Sequence, residues 1–236
     1  MKHLTVLTAL CMLAACDPKA APSIEQQTAA LNAGNTMNCT AGDLALSGTG
    51  PEQVGIASFG ISGGNLTAFG LSLNVETGGK VHVISTSLLT LPLHAGTFHV
   101  PPLDSNGMSY ASYEIRTAER DLLRNYGGTT YSQHFSPLEI DPEAKLKVQV
   151  DKLDVSATDL PGFKRVHAVG SFQFNGAALP GPEPSDACMH DGIMRSMESL
   201  KAGKRLLPLF NAQVCGAEKK HIQCKFDVVG DFVTQQ

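Results

Sequence analysis

Between residues 39 and 179 the apolar side chains come in short or alternating runs, broken every few positions by Gly, Pro, Asn or Asp. A period of two marks antiparallel strands with one packed and one solvated face. The pattern predicts strands over residues 44–47, 54–59, 66–75, 81–86, 97–100, 109–116, 129–135, 144–155 and 166–174. The clearest is the stretch in which Leu146, Val148 and Val150 alternate with Lys145, Lys147, Gln149 and Asp151. Gly63-Gly64-Asn65 and Gly78-Gly79 supply turns, while Asp141-Pro142 and Leu160-Pro161-Gly162 mark longer bends. Strands at this spacing predict a mainly β fold, an antiparallel β-sandwich or a barrel-like body.

The pattern changes after a Pro-rich joint, Pro180-Gly181-Pro182-Glu183-Pro184. Ser185 or Asp186 then caps a predicted helix that runs to about Leu200 and is ended by Gly203. Residues 207–214 and 222–229 read as a β-hairpin, with Ile222, Cys224, Phe226 and Val228 sharing one face. At the opposite end, residues 17–38 are rich in Ala, Asn, Gln, Thr and Pro, with Ile24, Leu31 and Met37 almost their only large apolar side chains. That composition reads as a tether with an r.m.s. span of roughly 25 Å. The expected organisation is therefore a leader over 1–15, a tether over 16–38, a β body over 39–179, and a joint, helix and hairpin over 180–236 packed on that body.

Residues 1–16 carry an address. Lys2 and His3 precede an apolar stretch from Leu4 to Leu13, followed by Ala14, Ala15 and Cys16. About ten apolar residues are too few for a bilayer-spanning helix, which needs about 20, but they suit a signal peptide. The run Leu13-Ala14-Ala15-Cys16 resembles the lipobox of bacterial lipoproteins. That resemblance implies a diacylglyceryl group on the Cys16 thiol, cleavage before Cys16 and acylation (palmitate) of the new amino terminus. Two or more acyl chains anchor a protein stably to a lipid bilayer. It also implies a body facing the periplasm. Asp17, beside the lipidated position, favours the inner membrane over the outer.

Charge narrows the partners. With 18 Lys and Arg against 22 Asp and Glu, the formal charge is −4. Such a chain has no electrostatic footprint for a phosphate backbone, so no nucleic acid is expected as a partner. A mildly acidic body also gains nothing from an anionic membrane surface, which leaves anchoring to the lipid.

Cys39, Cys188, Cys215 and Cys224 remain after processing, an even number in an exported chain, and four thiols allow three disulfide connectivities. Cys215 and Cys224 flank the predicted hairpin and can face each other across it. Cys39 with Cys188 then staples the start of the body to the helix. The rival, a four-Cys metal site, lacks the paired CxxC spacing such sites use.

Two clusters stand out as candidate sites. Met189, His190, Met194 and Met197, beside Cys188, are soft ligands of the kind copper(I) prefers. On a helix, His190, Met194 and Met197 fall at i, i+4 and i+7, which is also the spacing of a packing stripe. Tyr110, Tyr113, Tyr126 and Tyr131 lie within one window, interleaved with Arg116, Arg120 and Arg124. Tyr and Arg are enriched at protein interfaces, and this window is the expected partner surface.

Gly60-Ile61-Ser62-Gly63-Gly64 has GxSxG spacing but is followed by a predicted strand and not by the helix of a nucleophile elbow, and the chain shows no HExxH pair or calcium-loop spacing. No cofactor and no catalytic residue is expected. The reading is a lipid-anchored, non-enzymatic binding module for an envelope protein or glycan, such as an inhibitor, immunity or assembly factor. The alternatives are an envelope hydrolase with its site at a loop end of the body, and a copper-binding periplasmic protein.

Overall fold

The computed structural model describes residues 32–62, 65–88, 94–100, 110–127, 138–139, 146–159, 161–181, 184–203 and 210–233. The predicted strand over 129–135 lies outside these residues. The elements are β1 (Thr36–Ala41), β2 (Leu44–Thr49), β3 (Val54–Ser62), β4 (Asn65–Thr77), β5 (Lys80–Leu88), β6 (Gly96–Val100), β7 (Tyr110–Arg116), β8 (Leu122–Gly127), β9 (Leu138–Glu139), β10 (Leu146–Ala157), β11 (Phe163–Ala178), helix α1 (Asp186–Lys201), β12 (Phe210–Asn211) and β13 (Glu218–Val233).

Among the described residues eleven strands form one antiparallel sheet, nine of them in the order β2-β1-β13-β11-β8-β7-β5-β4-β3 with β10 and β6 off this path, curled into a nearly closed barrel. Curling is the solution open to a long twisted sheet with one apolar face, because it buries that face against itself. Strand β11 organises the wall. One of its edges pairs with β13 along its length, from Phe163 opposite Val233 to Ala178 opposite Glu218. Its other edge is shared by β10, which covers Lys164 to Gln173, and β8, which takes over at Ala177. Strand β6 leaves the main path to pair with β10. The two residues of β12 pair in parallel with β9.

Alternation decides what the barrel holds. Val166, Ala168, Phe172, Phe174 and Ala178 of β11 point inward, as do Ile222, Cys224, Phe226 and Val228 of β13. They meet Met37, Leu46, Leu71, Leu73, Ile84, Tyr113 and Tyr126, so the interior is filled by side chains. Gly176 is required where β8 crosses β11, since a Cβ there would stand 2.8 Å from both Cβ and the carbonyl oxygen of Tyr126.

Two expected boundaries move. Strand β1 starts inside the segment that composition assigns to a tether, because Met37 is fully buried and Asn35 is built into the wall. The side-chain amide of Asn35 donates to the Val229 carbonyl at 3.2 Å and accepts from the Val229 N–H at 2.7 Å. A primary amide has the shape of a peptide group, so this pair adds one rung to the β1–β13 ladder. The C-terminal segment, expected to pack on the body, is part of it, since β13 lies between β1 and β11 and is itself barrel wall.

Candidate functional site

The four cysteines are all oxidised, but not in the pairing that the expected hairpin favours. The bonds are Cys39–Cys224 and Cys188–Cys215. Register is the reason: β1 lies beside β13 with Cys39 directly opposite Cys224, both facing the core. Cys215 is left just ahead of β13, where it meets Cys188 in the first turn of α1. Ala177, Leu179 and Ala217 pack around this second bridge, which pins the base of the helix to one end of the barrel.

Helix α1 is well specified by its own sequence. Ser185 caps it, its hydroxyl accepting from the Cys188 N–H at 3.3 Å, with Asp186 in the first turn and Lys201 in the last. The way it sits is unusual. The residues it turns toward the rest of the protein are small or polar: Cys188, Gly192, Asp191 and Arg195. Asp191 accepts from Arg195 at 2.9 Å and from the backbone N–H of Asn211 at 3.2 Å, which fixes the rotation of the helix. The outer face carries Met189, Ile193, Met194, Met197 and Leu200, exposed at 43%, 54%, 47%, 48% and 48%. A surface helix ordinarily buries its apolar stripe; α1 displays it.

This placement also bears on copper. Met189, His190, Met194 and Met197 are all exposed, but the Cys188 thiol is consumed in a disulfide and lies on the opposite, buried side. Among the described residues no three His, Cys, Asp or Glu side chains converge as a metal site.

The Tyr and Arg window is divided by the barrel. Tyr113 and Tyr126 are core residues, 1% and 2% exposed, because the alternation of β7 and β8 turns them inward; neither is available to a partner. Tyr110 pairs through its backbone with Ser87, and Tyr131 lies outside the described residues. Arg116 is bound to Glu114 at 2.8 Å and to the carbonyl of Arg120 at 3.0 Å. Arg120 is exposed in the β7–β8 turn, with φ at 73°. Arg124 donates to the carbonyl of Leu179.

The buried tyrosines instead belong to a polar chain that the residue pattern does not announce. His82 Nδ1 lies 2.8 Å from the Tyr113 hydroxyl, and the Tyr113 and Tyr126 rings stack at 5.4 Å. Tyr126 donates to Glu218 at 2.8 Å, and Lys220 sits 3.1 Å from Glu218 and 5.1 Å above the Tyr126 ring. The chain runs from the interior to the barrel end that carries α1. Desolvation pushes both phenols up to about 12 and holds the His82 imidazole below its ordinary value, against a backbone hydrogen bond with Thr77. Hydrogen bonds from Tyr126 and Lys220 hold Glu218 below the usual carboxylate range. The inward position of Tyr113 is legible in Ala111, Tyr113 and Ile115 alternating along β7; its meeting with His82 depends on the β5–β7 register.

No protein-family model, no curated protein and no solved structure matches this chain.

Proposed function

We propose that this protein is a lipid-anchored module of the bacterial envelope, facing the periplasm, that works by binding a protein through the outer face of helix α1. The carrying observation is the inverted helix: Met189, Ile193, Met197 and Leu200 face water while Asp191 and Arg195 face the protein's own body. Exposing that stripe is unfavourable in isolation and becomes favourable when a partner covers it. A Met-rich apolar stripe suits a protein surface rather than a glycan, whose hydroxyls need polar partners. The location is supported by the lipobox ending at Cys16 and by two disulfides, which persist in oxidising compartments.

Affinity capture tests the binding reading. The full chain and an Ile193→Glu/Met197→Glu variant are compared as baits from solubilised envelopes. Proteins retained by the first and lost from the second support the reading, whereas identical sets overturn it. For the anchor, Cys16→Ser should abolish labelling by radioactive palmitate and release the chain from membranes.

A further inference from the structure

The stripe on α1 is nearly palindromic. Met189, Ile193, Met197 and Leu200 follow steps of four, four and three residues, and the reversed order superposes to within one position. In an antiparallel pair of such helices, Met189 faces Leu200 of the second copy while Ile193 faces Met197. The ends are complementary as well. Exposed Asp186 in the first turn approaches exposed Lys201 in the last turn of the other helix, and the two helix dipoles oppose.

The area agrees. Five large side chains, each near half exposed, present on the order of 500 Å² of apolar surface. In an interface about 65% apolar, that corresponds to about 800 Å² on each partner, the size of a specific dimer contact.

The chain's own N-terminal segment enters the barrel away from the base of α1. It joins the barrel at Asn35, hydrogen-bonded to Val229, whereas α1 is pinned through Cys215 beside Glu218, at the other end of β13. At 3.3 Å per residue these points are about 36 Å apart. This separation places the base of α1 at the end of the barrel away from Asn35.

We infer that the occupant of this face is a second copy of the chain, joined by antiparallel pairing of two α1 helices about a two-fold axis. The inference rests on the reading of α1 as a binding surface and names its partner. The test places a benzophenone-bearing amino acid at Met197, and separately at Ile193, in the full-length chain in the cells that make it, with Lys225 on the outer face of β13 as the control position. Irradiation should give an adduct of twice the chain's mass, containing peptides of this chain alone, from both α1 positions and not from Lys225. The purified Ile193→Asp/Met197→Asp chain should then sediment at half the mass of the parent, with both disulfides intact. An adduct containing a different protein overturns the dimer and leaves the binding reading standing. No protein adduct from either α1 position overturns both.

Discussion

The hydroxyl of Tyr113 stands 2.8 Å from Nδ1 of His82, and both side chains are sealed inside the barrel wall. Desolvation keeps this imidazole neutral to a lower pH than a free one, so as pH falls below the ordinary 6.5 the unfolded chain takes up the proton first. The stability contributed by neutral His82 is complete above that pH and is lost below it. Denaturant midpoints measured from pH 8 to pH 5 should therefore fall on the acid side of 6.5. His82→Gln should flatten that limb; a limb equally steep in the variant would remove His82 as its cause.

Tyr126 and Glu218 should be separable by titration. Two of the chain's four tyrosines are expected to ionise only at about pH 12, visible as delayed phenolate absorbance. Tyr126→Phe should remove one of these late transitions, let the Glu218 carboxyl rise toward its ordinary value, and cost about 1 kcal/mol of stability. Four tyrosines titrating together near 10 would contradict the buried pair.

Gly176→Ala should be among the most damaging single changes in the wall. Its methyl group would stand 2.8 Å from the backbone carbonyl oxygen of Tyr126, and neither strand can move without breaking the ladder on its other side. A loss of roughly 2–3 kcal/mol is expected in equilibrium unfolding. A loss below about 0.5 kcal/mol would mean that β8 does not cross β11 at this point.

The two disulfides should differ in kind. Cys39–Cys224 closes a separation of 185 residues, and Cys39→Ala/Cys224→Ala should lower global stability by about 5 kcal/mol in the chain-entropy description. Cys188–Cys215 closes only 27 residues, corresponding to about 3.5 kcal/mol. Because this bridge lies at the base of α1, Cys188→Ala/Cys215→Ala should first expose the helix to proteolysis while the barrel amides stay protected from hydrogen exchange. Equal loss of protection in both variants would show that helix and barrel unfold as one unit.

Much of the wall is legible along the chain. The alternation of Leu146, Val148 and Val150 and the Ser185 cap of α1 are local signals, and local structure follows them. What escapes a linear reading depends on which strands become neighbours. The register of Cys39 with Cys224 sets the disulfide pairing, and the inward turn of β7 and β8 converts interface-type tyrosines into core. The period of α1 likewise identifies a stripe without saying which side docks. That choice is made by Asp191, which engages Asn211, a residue 20 positions away.

The place of β13 has a consequence for how the molecule comes into being. Among the described residues, the last strand in sequence lies between the first, β1, and β11, and carries the cysteine that bonds to β1. A nascent chain lacking residues 218–233 has only β2 beside β1, nothing to join β1 to β11, and cannot close the sheet. Assembly therefore waits for β13 to emerge, and a truncation after α1 should leave an open, unpaired edge rather than a smaller barrel.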